Sequence, residues 1–379
     1  MPVRCIKLFV VMGCLGAPHW LRAQPQNVLG FEGSLHRVEI VRHTRSMRIS
    51  TGELLWAGDF GLRWQTRGNK PWHAWHRFPA YGVSFCVFPN GPDAHGTVIG
   101  AVPYMQVPVL RLSPVEFNLR VGTGLCYVTA PFDPEKNPEQ NAIGSSINNI
   151  TQFRLGLALP YATQGYLQAG ASFTHVSNGS SRMPNLGINQ PGYFIQMAWM
   201  LEPTPESSFV RAGLDEPLPK RWGGLVNGGM AFSQYKTYQG AIYMTTFVGA
   251  MAQYALNHTN RLTFGVDNEY FALAYHEGIK EDGKIDQKQA RSSATRISLT
   301  AGDEMLFGDV SLHVLFGVYI GDQAHRVSTF ANGSWYNRLS ARYYIIYPEL
   351  EPVNPYFGVT LKAHRSVAEF VALECGVRF

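Results

Sequence analysis

Long stretches of this chain alternate apolar and polar side chains residue by residue, and this limits its fold more than any other feature. Phe117, Leu119, Val121, Leu125 and Tyr127 oppose Glu116, Asn118, Arg120, Gly122 and Gly124. Phe153, Leu155, Leu157 and Leu159 oppose Gln152, Arg154, Gly156 and Ala158, and Val310, Leu312, Val314, Phe316 and Val318 oppose Ser311, His313 and Gly317. Successive side chains of a strand point to opposite faces, so each segment reads as a strand with one apolar and one polar face. The charges keep to one face, which is the pattern of a polar lumen inside an apolar exterior. The chain ends the same way. Val371, Leu373, Cys375, Val377 and Phe379 alternate with Ala372, Glu374, Gly376 and Arg378, as a closing barrel strand with a terminal aromatic would.

Sixteen such segments are expected: 33–41, 54–64, 80–88, 97–105, 115–128, 149–159, 165–175, 191–200, 226–235, 240–255, 261–275, 293–302, 308–319, 338–347, 356–364 and 368–379. Charged residues are 16% of the chain and aromatics 13%, with 38 Gly and 18 Tyr. Low charge, many aromatics and no apolar run of membrane-helix length fit a transmembrane barrel with aromatic girdles.

Residues 1–23 read as a secretory leader. Arg4 and Lys7 precede an apolar run from Leu8 to Ala17, and Leu21-Arg22-Ala23 makes a cleavage site. A lipoprotein leader ending at Cys14 is the alternative. Without the leader, basic and acidic residues nearly balance, which gives no footing for nucleic-acid binding. Cys86, Cys126 and Cys375 suggest neither a disulfide framework nor a zinc site. The scattered carboxylates form no calcium cluster, and no metal or cofactor is expected.

These readings predict an all-β chain whose residues 24–379 form a single antiparallel outer-membrane β-barrel of about sixteen strands, twelve or fourteen being the alternatives. With Phe379 in the periplasm, most long connections fall outside and most short ones inside, as barrels of this kind require. Two connections do not fit. Segments 65–79 and 201–225 would be long periplasmic pieces, the second rich in proline.

One segment carries candidate chemistry. In Phe173-Thr174-His175-Val176-Ser177-Asn178-Gly179, His175 and Ser177 are two residues apart at a strand end. They therefore share a face, a general base beside a nucleophile. Leu167, Ala169, Ala171 and Phe173 have the same parity, so the pair belongs to the lipid-facing side near the outer rim. Taken by itself, the pair reads more readily as a girdle histidine and a loop-starting serine. Lys362 and His364 lie on the opposite, luminal parity. They read as a polar network with Arg342, Glu374 and Arg378, and Asp267 and Glu269 read as luminal too.

The local pattern His175-Val176-Ser177-Asn178, then Pro184-Asn185-Leu186-Gly187-Ile188, resembles the lipid A 3-O-deacylase (PagL) family, which is grouped with acyloxyacyl-hydrolase-like outer-membrane proteins. Asn141-Ala142-Ile143-Gly144-Ser145, Leu361-Lys362-Ala363-His364 and Ala368-Glu369-Phe370 resemble a longer branch of that group. The resemblance implies an esterase that removes an ester-linked acyl chain from lipid A, the membrane-embedded partner. His175 would be the general base and Ser177 the nucleophile. Asn178, Gly179 and Asn185 would supply oxyanion donors, and Arg182 a cation for a lipid A phosphate. The family's third catalytic residue is a glutamate fourteen residues after the histidine, and this chain has Asn189 there. An amide can orient the ring but cannot stabilise an imidazolium by charge. Gly179-Ser180 directly after Asn178 also shifts the loop glycine by one position. The rival reading is a non-catalytic barrel, either a pore or a structural protein, since sixteen strands enclose an aqueous channel. A phospholipase is a third.

Overall fold

The computed structural model describes residues 26–92, 95–211, 213–214, 216–234, 238–281, 287–320, 334–346, 353–364 and 367–379. The leader reading, at 1–23, lies outside them. Sixteen strands are present among the described residues, each overlapping an expected segment. The first eight are β1 (Val28–Glu39), β2 (Leu54–Gln65), β3 (Ala80–Pro89), β4 (Thr97–Leu112), β5 (Val115–Val128), β6 (Ile147–Pro160), β7 (Gly165–Ser177) and β8 (Ile188–Met200). The rest are β9 (Trp222–Gln234), β10 (Ile242–Ala255), β11 (Asn260–Phe271), β12 (Thr295–Phe307), β13 (Val310–Tyr319), β14 (Trp335–Tyr344), β15 (Asn354–His364) and β16 (Val367–Arg378). Three helices join them: α1 (Pro71–Trp75), α2 (Ala272–Glu281) and α3 (Gln287–Ala294). The alternation did not announce α2 and α3, and the expected strand 261–275 ends instead at Phe271 where α2 begins.

The strands close as two barrels of eight, which corrects the expectation of one barrel of sixteen. β1 pairs with β8, from Gly30↔Met200 to Val38↔Gly192. β16 pairs with β9, from Ala372↔Ala231 to Arg378↔Leu225. All neighbours are antiparallel.

The lumens give the physical reason. An eight-stranded barrel is just wide enough for side chains to fill it, and the inward residues of each half complement one another. In the first barrel Arg120 makes two bonds to Glu32 (2.6 and 2.8 Å), while Asp59 takes Arg154 (2.5 Å) and His36 (2.8 Å). In the second, Arg342 pairs with Glu374 (2.8 Å), Arg338 with Asp267 (2.9 Å), and Lys362 with Glu369 (3.0 Å) and Glu269. Bidentate Arg–carboxylate pairs are among the strongest charge-assisted bonds. Removing one partner leaves a buried charge, at a cost of about 3–5 kcal/mol. Each of these pairs stays within its own half of the chain. The outward residues are large and apolar on both barrels, among them Leu125, Tyr193, Ile195, Val248, Phe357 and Leu373. That is the lipid-facing band of an outer-membrane protein.

The two connections that fitted a single barrel badly are where the barrels meet, at the end holding Val28 and Phe379. The chain passes from β8 to β9 through 201–221. α1, between β2 and β3, reaches the second barrel: His76 Nε2 bonds Leu306 O (2.6 Å), its ring stacks on Phe307, and Lys70 approaches Asp309 (3.6 Å). Trp75 Nε1–H donates to Gly213 O in the linker (2.9 Å).

Candidate active site

The site lies at the opposite end, where β7 turns into β8. Along β7 Leu167, Ala169, Ala171 and Phe173 are exposed, whereas Gln168, Ser172 and Thr174 are buried in the lumen. His175 continues the outward set and is half-buried. Ser177, two residues on, is buried at the rim. Antiparallel register makes His175 and Asn189 a direct cross-strand pair, so fourteen residues of sequence become one step across the hairpin.

The contacts are close. His175 Nδ1 lies 2.6 Å from Asn189 Oδ1, and His175 Nε2 lies 3.1 Å from Ser177 Oγ. An amide oxygen only accepts, so Nδ1 carries the proton. Nε2 is then the acceptor for the serine hydroxyl. Gly187 lets the chain pass the ring. Its φ is +79°, and a Cβ there would stand 3.0 Å from His175 Cε1. The β1–β2 loop braces the same edge, with Val41 N–H donating to Asn189 O (3.0 Å) and His43 Nε2 bonding Leu186 O (2.8 Å). On the other side Thr151 faces His175 and Asn149 faces Ser177. These two side chains and Thr123 bond one another at 2.9–3.1 Å.

The remaining candidates divide. Asn178 spends its side chain on the loop: Nδ2 donates to Ser145 Oγ and Arg182 O, both at 2.9 Å. Its backbone N–H donates to Asn185 Oδ1 (3.0 Å). Asn178 is therefore a loop staple, its backbone held by the Asn185 side chain, and Gly179 follows it in the chain. Gly179 holds φ +60°. Arg182 is exposed at the loop tip. The residues that sequence reading passed over are Ser145, Gly187, His43 and Gln234. Of these only Gly187 and Ser145 had a signal, since both lie inside the quoted motifs.

Behind the site the lumen is closed by apolar side chains. Val38, Phe88, Val98, Val128, Ile150, Val176 and Ile188 pack with Met47, Ile49, Ala142 and Ile143 from the loops. The candidate site therefore lies outside that packed core, on the outward parity of β7. A cavity of about 750 Å³ lies at the other end of this barrel, lined by Arg63, Gln106, Arg111 and Tyr166 among others, and holds none of the candidate residues. No group of His, Cys, Asp and Glu among the described residues is arranged to hold a metal.

Two family signatures match the chain in tandem. Residues 58–198 match lipid A 3-O-deacylase (PagL), and residues 221–379 match the acyloxyacyl hydrolase C-terminal domain. The boundary between the matches falls in the linker between the two barrels. No curated protein sequence matches the chain. Among solved structures, Pseudomonas aeruginosa OccK11 (OpdR) is 10% identical, with 95% of this chain and 99% of that one covered and a TM-score of 0.20. A BenF-like porin from Pseudomonas fluorescens Pf-5 is 8% identical, with 93% and 98% covered and a TM-score of 0.23. Superposition at that level carries no argument. The paired signatures together with the barrel architecture settle the assignment: the chain belongs to the PagL-like family of outer-membrane proteins.

Proposed function

We propose that this protein is a serine esterase that hydrolyses an ester-linked acyl chain of lipid A at the outer rim of its first barrel. One observation carries the reading: His175 bridges Ser177 and Asn189 on the lipid-facing side of the strand, beneath a loop that presents amide donors. An aqueous hydrolase has no use for a nucleophile on that face. A lipid ester lies at that depth, where headgroup meets acyl chain.

The chemistry follows from the geometry. Serine is a weak nucleophile until a neighbouring base takes its proton. Nε2 of His175 accepts that proton as Oγ attacks the ester carbonyl carbon. The carbonyl oxygen becomes an oxyanion facing the Asn185 amide and the Gly179 N–H, where a donor is typically worth about 3–4 kcal/mol. The imidazolium then protonates the departing sugar oxygen, leaving an acyl-Ser177 ester. Water, deprotonated by the same ring, releases the fatty acid. Asn189 holds the ring in the right tautomer but adds no charge to stabilise the imidazolium. Arg182, exposed at the loop tip, suits a lipid A phosphate.

The test is mass spectrometry of lipid A incubated with purified protein in detergent. Wild type should release one acyl chain, and Ser177→Ala should release none. Full activity in Ser177→Ala would sink the nucleophile assignment and favour the non-catalytic barrel. Against a pore stand the side chains filling both lumens.

A further inference from the structure

We propose that Gln234, at the end of β9, is a positioning residue through which the second barrel holds the oxyanion-side loop of the first; this rests on the esterase reading above. The loop between β7 and β8 meets the second barrel through three hydrogen bonds and one close apolar approach. Gln234 N–H donates to Ser180 O (2.8 Å), and Met183 N–H donates to Gln234 Oε1 (2.7 Å). Ser180 Oγ–H donates to Ala368 O (2.9 Å). Gly179 lies against β16, where a Cβ would stand 2.3 Å from Val371 Cγ2. Gln234 is itself buried and anchored, its Nε2 donating to Gly240 O (2.9 Å).

These contacts bracket the donors. Gly179 and Asn185 lie on either side of the segment clamped at Ser180 and Met183. Asn178 and Ser181 tie that segment back to the end of β7. A loop of ten residues has many conformations, and an oxyanion donor misplaced by about 1 Å can cost about a hundredfold in rate. The clamp also accounts for the shifted glycine. At position 179 the chain needs φ +60° and has β16 pressed against its Cα, and only glycine meets both demands. The second barrel thus acts as a rigid strut for a site it does not itself contain.

The experiment measures kcat and KM of full-length variants on purified lipid A in detergent, with hydrogen exchange of segment 178–187 as a second readout. Gln234→Leu removes the acceptor for Met183 N–H. It should lower kcat by about tenfold or more with KM within about twofold, and it should speed exchange in the loop. Gln234→Glu keeps an acceptor oxygen and should recover most of kcat. If Gln234→Leu fails to assemble, Ser180→Gly removes the Ala368 bond and should show the same kcat-only loss, smaller in size. Unchanged kcat and unchanged loop exchange in Gln234→Leu, with Ser177→Ala inactive, would overturn the strut and leave the esterase standing. Full activity in Ser177→Ala would overturn both.

Discussion

The two barrels place a histidine at the same point of their architecture and use it in opposite ways. His175 lies two residues before the end of the seventh strand of the first barrel, and His364 is the last residue of the seventh strand of the second. His175 has the outward parity of Ala171 and Phe173 and meets Ser177 and Asn189. His364 has the inward parity of Thr360 and Lys362. It is buried against Glu369 (3.0 Å) and Tyr319 (3.3 Å) in a lumen crowded with charge. A one-residue difference in parity moves a side chain from the lipid face to the core. Which face the histidine takes is therefore what separates the barrel proposed to be active from the other.

Replacing each histidine tests that comparison with the largest expected effect. His175→Ala should lower kcat by about six orders of magnitude, as loss of a catalytic base does in serine hydrolases. His364→Ala should leave kcat within about threefold and lower only the unfolding midpoint, because Arg296 and Lys362 still hold Glu369. Comparable activity losses in both variants would mean that the second histidine takes part in the chemistry.

Gly187→Ala comes next. Its Cβ would crowd the ring at 3.0 Å in a left-handed conformation, so the ring must tilt away from Ser177. A kcat loss of about a hundredfold is expected, with the barrel still folded by its heat-shifted gel mobility. A substitution at Gly358, on β15 of the second barrel, should leave kcat unchanged.

Asn189 sharpens the point on a smaller scale. Asn189→Ala should cost about ten- to a hundredfold, less than either His175→Ala or Ser177→Ala, because the amide supplies direction without charge. Asn189→Glu restores charge stabilisation of the imidazolium and should keep or raise kcat. Steady-state rates of the two variants at one pH decide this, and a slower Glu variant would show that the site is shaped for the amide.

The smallest effect is expected at the junction formed by α1 and the linker. Burial, and then the positive charge of Lys70, push the His73 imidazole in α1 down to about 4 from an ordinary 6.5. The folded junction therefore prefers the neutral ring. Its contribution is complete above about pH 6.5 and is lost as pH falls from there toward 4, where the unfolded segment takes the proton first. The opening constant of 66–79, taken from hydrogen exchange normalised to the intrinsic rate at each pH, should rise across that window, and His73→Gln should flatten the response.

How much of this could be read from the chain is clearest in β7. Leu167, Ala169, Ala171, Phe173 and His175 declare their face by parity alone, because the strand period is local and leaves its mark on neighbouring residues. The step from His175 to Asn189 was also legible through the quoted motif. The ends of β4 were less so. Pro103 and Pro108 interrupt the alternation, and the strand runs on to Leu112 past an irregularity at Pro108. The helices α2 and α3 left no mark in the alternation, and α3 carries too few apolar residues to show a face.

From the sequence alone came the sixteen strands, the inward and outward sets, and the pair His175 and Ser177 on the lipid side. Only the tertiary structure decided that β8 closes on β1 instead of pairing with β9, and that Ser180 and Met183 rest on Gln234. Parity says which face a side chain takes, but not which edge its strand will meet. That choice depends on whether Arg120 finds Glu32 and Arg342 finds Glu374 across a lumen narrow enough to be filled. Such matches are made between residues far apart in the chain, and no local period records them.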